Sequence, residues 1–299
     1  MKNIPVLHVT ENCLAKAYES ALIKLYAEGI RFKTQYDKPG DPLSIDCTMN
    51  ITILEPERDP MIHMAFPGGI DELKEYVLEL KGYKDHWVKN MNDPDDTRWE
   101  YTYHGRLINY GSWKEWANGP GSESRVAGFN KNQVEYVIDR LVKQPYTRQA
   151  QMITWMPNID TQFYDPPCLQ SLWYRILEDD EDVQWLNCNV RFRSNDAWGA
   201  SFMNMFGFIQ FNLELIVAEI QKKSGKTVKL GRMNWHADSY HIYGKDIAQA
   251  KGMLFDRVNT MSFEERVYNF NDPFIREMYN SAEDKILAKI QEYDRTHKN

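Results

Sequence analysis

The segment YDPPCLQSLW sets two prolines, Pro166 and Pro167, directly before Cys168, so the thiol is carried on a turn whose backbone is fixed. A thiolate is a strong nucleophile when neighbouring cations lower its pKa. On its own, a single cysteine is more often a small buried hydrophobe. Further on, the segment FRSND (192–196) gathers a guanidinium, a hydroxyl and a carboxylate at the end of a strand. There Arg193 and Ser194 make an anion cradle, although RSND alone reads more readily as a surface ion pair. In HIY (241–243) His241 and Tyr243 alternate, so a strand turns both to one side. His236 and Asp238 are close in sequence, but no third ligand has metal-site spacing, and no metal is expected.

These groups need elements to hold them. Thr10 reads as an N-cap, followed by Leu14, Ala17, Ala21, Leu22 and Leu25 at helical spacing until Gly29. TQYDKPGDP is turn chemistry leading into a strand over 46–54. A second helix over 71–80 carries Leu73, Val77 and Leu80 as its apolar stripe, with Glu72, Glu75 and Glu79 on another face. Residues 92–124 read as long loops, and 133–144 as a helix that Pro145 ends. Strands follow over 150–155 and 186–193. In the latter Asn187, Asn189, Arg191 and Arg193 share a face that should line a cavity, because a long, nearly apolar helix comes next. Weaker strand signals cover 228–233 and 240–243, and 282–293 is a polar helix. No linker or repeat divides the chain. A single α/β (α+β) domain over 1–299, a twisted mixed sheet flanked by helices, is the simplest architecture.

Composition narrows the function. The net charge of −7 argues against a nucleic-acid-coating protein but leaves room for a small anion bound by converging arginines. MKNIPVLHVTENC lacks the apolar run of a signal peptide, and the most apolar stretch, 201–220, is broken by Asn204, Gln210, Asn212, Glu214 and Glu219, so no membrane span is expected. Cys13, Cys47, Cys168 and Cys188 lie far apart, which suits reduced thiols in the cytoplasm.

PPC (166–168), RSND (193–196), FMN (202–204) and HIY (241–243) occur in the order, and near the spacing, of thymidylate synthases and their hydroxymethylase relatives, and the chain resembles that family. The match is strongest over 146–243 and extends upstream through YTYHGRL (101–107) and TRQAQMITW (147–155), with ITW, FMN and DSYHIYG closer to the archaeal-type and hydroxymethylase branches. The resemblance implies a thymidylate synthase-like fold and a transferase that moves a one-carbon unit from 5,10-methylenetetrahydrofolate to C5 of a pyrimidine nucleoside monophosphate. Cys168 would add to C6 of the ring, Arg193 and Ser194 would bind the phosphate, and Arg193 would also keep the thiol ionised. Asp196 belongs to the same motif. Asn204, eight residues further on, would read uracil by accepting from N3–H and donating to O4. His241 and Tyr243 would hold the sugar hydroxyl. Glu75, placed by counting back from Gly82, would manage protons at O4, with Glu79 second, and Tyr103 would assist proton removal from C5.

The resemblance further implies a sheet-to-sheet homodimer in which Arg148 reaches the partner's phosphate site. The family's adjacent arginine is replaced here by Gln149. Arg31 or Lys33 matches its mobile phosphate-binding arginine, and Trp99, Trp113 and Trp116 are candidates to stack on folate. Methylation of dUMP, thymidylate synthesis, is the expected outcome. Leu169, where synthases often carry His or Asn, and the polar ending DRTHKN keep open a 5-hydroxymethylase acting on dUMP, dCMP or CMP. PPC, RSND and Asn204 together argue for an enzyme over an idle nucleotide- or RNA-binding relative.

Overall fold

A computed structural model of the chain describes residues 3–89, 95–111 and 131–296. Its centre is a mixed sheet ordered β1-β3-β9-β7-β6-β5, with β2 added along β3 and β8 along β9. These strands are β1 (Val6–Glu11), β2 (Ile30–Phe32), β3 (Ser44–Ile53), β5 (Gln151–Ile153), β6 (Leu169–Glu178), β7 (Gln184–Phe192), β8 (Asn195–Asp196) and β9 (Val228–Ile242). A separate short pair joins β4 (Ile62–His63) to β10 (Val267–Tyr268). β1–β3 and β9–β7 run parallel, while β3–β9, β7–β6 and β6–β5 run antiparallel.

Strand alternation gives the sheet two unlike faces. Met49, Ile51, Leu172, Tyr174, Cys188, Val190, Met233 and Trp235 are fully buried on one of them. Helix α1 (Leu14–Glu28) and the helix that begins as α6 (Ser201–Phe211) cover this face. The helix passes through a π-helical turn, Asn212–Val217, and continues as α7 (Ala218–Ser224). The other face, with Thr48, Asn50, Trp173, Arg175, Asn187, Asn189, Arg191 and His236, stays half-buried or exposed among the described residues. The polar side of β7 therefore does not line a cavity as expected from its sequence: it belongs to the uncovered face of the sheet. Arg191 there pairs with Asp238 at 3.1 Å, and His236 sits between Asn50 and Asp238.

Several boundaries move. Thr10 is no cap, because it lies in β1 with its backbone paired to β3, and Cys13 precedes α1 without a side-chain cap. The two weak strand signals after 228 are one strand, β9, whose pairing with β3 slips at a β-bulge between Cys47 and Met49. The expected loops hold a short helix, α3 (Tyr103–Ile108), capped by Thr102. α2 (Ile70–Leu80) and α4 (Gln133–Lys143) lie near their expected places, a short α5 (Pro157–Asp160) adds to them, and the final helix, α8 (Pro273–Thr296), is twice the anticipated element.

The helix from Ser201 to Ser224 has the length and hydropathy to cross a membrane, and here it is the core helix, most of it buried inside the fold. Gly207 is where it meets α2. A Cβ there would lie 2.5 Å from the Tyr76 ring, so only glycine lets the two helices approach this closely.

Candidate active site

Cys168 ends the proline turn just before β6. It is the one cysteine of the four that is not fully buried. Arg193 pins this turn from the end of β7. Its backbone N–H donates to the Cys168 carbonyl at 2.8 Å, and its guanidinium donates to the carbonyls of Pro167, at 3.1 Å, and Pro166. Asp165 lies 3.5 Å from the same guanidinium. Burial pushes the Cys168 thiol up, the Arg193 charge pulls it down, and Asp165 pushes it up again. The net direction is upward, so in this state Arg193 moderates the thiol without ionising it outright. Ser194, half-buried, follows on the bend out of β7.

Tyr103 reaches the same turn. Its hydroxyl accepts from the Leu169 N–H at 3.3 Å, and its ring lies 5.7 Å from Tyr101. Burial raises both phenols above their usual range, and the Cys168 charge adds to this. A buried fork holds α3 in place: Arg106 donates to Asp160 at 2.6 and 3.1 Å and to the Thr154 carbonyl, while Asp160 also accepts from Met156 N–H. α3 is thereby fastened to the segment that leads into the Cys168 turn.

Behind the thiol, Asn204 on α6 has two partners. Its Oδ1 accepts from Asn195 at 3.0 Å and its Nδ2 donates to the Tyr76 hydroxyl at 2.7 Å, while Asn195 accepts in turn from the Trp235 indole. The network fixes the amide orientation and leaves one N–H and one lone pair for a ligand, the complement of a uracil O4 and N3–H edge. Burial, with Glu79 next, raises the Tyr76 phenol well above its ordinary range, and Cys168 adds to this.

A cavity of about 320 Å³ opens among Glu79, Arg98, Trp99, Glu100, Tyr101, Thr102, Tyr103 and Asp165. Glu79 forms part of its wall, and burial raises this carboxyl to about 7. Glu75, one turn earlier on α2, does not line the cavity and is held at 2.6 Å by Lys84. Trp99 lines it, whereas Trp113 and Trp116 lie outside the described residues.

β8 joins two of the motifs, pairing Asn195 with Tyr240 and Asp196 with His241. Asp196 accepts from the backbone N–H of Gly199 and Trp198, and burial raises its carboxyl. His241 and Tyr243 share a side as expected, their rings 4.6 Å apart. Burial lowers His241, against the pull of Asp46. Tyr243 faces Tyr36 from the 33–43 loop at 6.0 Å and is raised by burial, with Asp196 and Cys168 adding to it.

Other candidates lie elsewhere. Arg148 is exposed by β5, and its carbonyl accepts from the Trp173 indole on the uncovered side. Arg31, on β2, lies over the Tyr26 ring at 5.5 Å, and Lys33, which begins the loop after that strand, does not enter the cavity wall. Tyr76, Asn195 and Lys84 were not singled out from the sequence. Asn195 stands inside RSND, but its partner on α6 depends on how the strand end meets the helix.

The sequence and the architecture have counterparts among known proteins. The model of the thymidylate synthase family matches residues 69–292. A Methanocaldococcus jannaschii protein named "Putative thymidylate synthase" is 26% identical over 243 residues, which is 80% of this chain and 91% of its own. A like-named Methanosarcina mazei protein is 30% identical over 59% of this chain and 63% of its own. The solved thermostable thymidylate synthase A of Bacillus subtilis shares the fold, with a TM-score of 0.55 at 19% identity, over 82% of this chain and 84% of that one.

Proposed function

This chain belongs to the thymidylate synthase family, and we propose from that premise that it transfers a one-carbon unit from 5,10-methylenetetrahydrofolate to C5 of a uracil nucleoside monophosphate, as a thymidylate synthase acting on dUMP. The observation that carries this reading is the placement of Cys168: a half-buried thiol on a pinned turn, walled by Tyr103 and backed by the oriented Asn204 amide.

Each residue's part follows from its chemistry. Cys168 Sγ adds to C6, and the electron pair moves through C5 towards O4. Asn204 holds the O4 and N3–H edge. The carboxylate best placed to hold a proton near O4 is Glu79, since Glu75 lies outside the cavity wall. Tyr103, on the same turn as the nucleophile, assists removal of the C5 proton once the new carbon–carbon bond has formed. Arg193 and Ser194 receive the phosphate, and His241 and Tyr243 the sugar. Asp196 shapes the turn that starts α6. The folate supplies the carbon unit and, for methylation, the hydride. Trp99 and Tyr101 give the cavity aromatic walls suited to its flat ring.

The assembly that completes such a site is a homodimer through the uncovered sheet face, with Arg148 crossing to the partner. That face leaves Leu177 exposed at 56% beside Trp185 on the neighbouring strand, and Val6 exposed at 71% at the opposite edge of the sheet. One catalytic domain over 1–299 and a cytoplasmic setting, suited to four free cysteines, complete the proposal.

A second reading, 5-hydroxymethylation of dUMP, dCMP or CMP, is kept by Leu169, an apolar, fully buried side chain next to the nucleophile. Mass spectrometry of the products of each nucleotide with 5,10-methylenetetrahydrofolate separates the two. A methyl gained on dUMP, with dihydrofolate formed, supports the first. A hydroxymethyl gained, with tetrahydrofolate retained, replaces it with the second. No product from any nucleotide sinks both.

A further inference from the structure

Building on the reading of this cleft as a site of proton transfer to a pyrimidine, we propose that Lys84 is a positioning residue: its buried ammonium holds Glu75 and Glu79 together so that the two carboxylates act as one proton-holding unit, with Glu79 as the member that faces the substrate. Lys84 is only 5% exposed. Its Nζ lies 2.6 Å from Glu75 and 3.7 Å from Glu79, and 5.2 and 5.4 Å from the ring centres of Trp87 and Trp99. Trp99 belongs to the cavity wall, so the lysine stands directly behind the cleft.

Charge counting gives the arrangement its chemistry. Two carboxylates against one ammonium leave one negative charge in excess, so the more enclosed acid, Glu79, has a like charge beside it that favours its keeping a proton. Burial is the largest cause of the rise at Glu79; Lys84 opposes it, and Glu75 and Asp85 add to it. The other groups facing Glu79 are Tyr76 on its own helix and, across the cavity, Arg98 paired with Asp96, Glu100, Tyr101, Tyr103 and Asp165.

The C-terminal helix closes the box from outside. Trp87 packs on Tyr293 at 4.3 Å and its indole donates to Asp294 at 2.9 Å, while His86 pairs with the same carboxylate. α8 thus sets where the tryptophan, and through it the lysine, can stand.

The test is a carbon-13 NMR titration of the Glu79 carboxyl in the whole protein, alongside the pH profile of kcat for carbon transfer to dUMP. Lys84→Met removes the attracting cation and Glu75→Gln removes the repelling anion. The Glu79 midpoint should move alkaline in the first and acidic in the second, each by about one pH unit, with Lys84→Arg restoring it. The kcat profile should follow in the same directions while KM for the nucleotide holds. Where Lys84→Met does not fold, Glu75→Gln carries the test alone. Midpoints that stay put or move the same way overturn the proposal. Opposite movements with an unmoved kcat profile overturn its catalytic role. A wild-type protein that transfers no carbon to any pyrimidine nucleotide overturns the functional reading beneath it, whatever the titration shows.

Discussion

Cys168 is balanced between neighbours of opposite sign. Burial and Asp165 raise its thiol, and Arg193 lowers it. Arg193→Gln keeps only the raising influences and weakens the hold on the Pro166 and Pro167 carbonyls. Its thiolate absorbance should titrate at higher pH than in the wild type, and alkylation at neutral pH should slow by about tenfold; an unmoved titration would show that the guanidinium only pins the turn. The nucleophile and the RSND arginine were legible in the sequence because consecutive prolines and a strand-end guanidinium declare themselves locally. Counting back from Gly82 puts Glu75 ahead of Glu79, and only the approach of α2 to the cavity sets Glu79 in its wall. Lys84 carried no local signal at all, since its role depends on Trp99 arriving from another segment.

At the scale of elements, the Arg106–Asp160 fork is what makes α3 part of the site. Both residues are almost fully buried, at 2% and 0% exposed. Arg106→Gln would strand a buried carboxylate, and urea denaturation should show a loss of about 3–5 kcal/mol, with the Tyr103 contact to Leu169 lost in the variant's structure. A smaller loss would mean that water reaches Asp160. The helices α1, α2 and α4 and the strand β7 could be read in advance because each carries its own period, and β3 because strand-forming residues dominate it. β9 could not be read whole, because the bulge against β3 breaks its alternation near Ser239. α3 was hidden in polar composition, since its stability comes from the fork and from the Thr102 cap. The polar side of β7 was legible as a face, but the sequence does not say that no helix among the described residues covers it.

Across the whole molecule, Glu19 ties the core to the C-terminal half through His63 and Arg266, with all three almost fully buried. Burial acts to raise its carboxyl, but hydrogen bonds from His63, Lys16 and Arg266 outweigh it and hold the group at about 2, below its usual 4.5. The stabilisation is therefore complete above the unfolded value and fades as pH falls towards the folded one. It amounts to about 3 kcal/mol at neutral pH. Urea midpoints measured from pH 6 downwards should fall steeply in the wild type and less steeply in Glu19→Gln; parallel curves would remove Glu19 from the account. Assembly has its own test. Mixing inactive Cys168→Ser chains with inactive Arg148→Ala chains should restore about a quarter of wild-type activity, because half of randomly paired dimers contain one intact site of two; no recovery would mean that Arg148 serves no partner. The long core helix has one more consequence. The segment that presents Asn204 passes, by length and hydropathy, for a bilayer span, so before the sheet forms it exposes a long apolar stretch to water. Refolding yield should then be governed by how quickly β7 and β9 cover that segment, and losses on concentrated refolding should appear as aggregates seeded there.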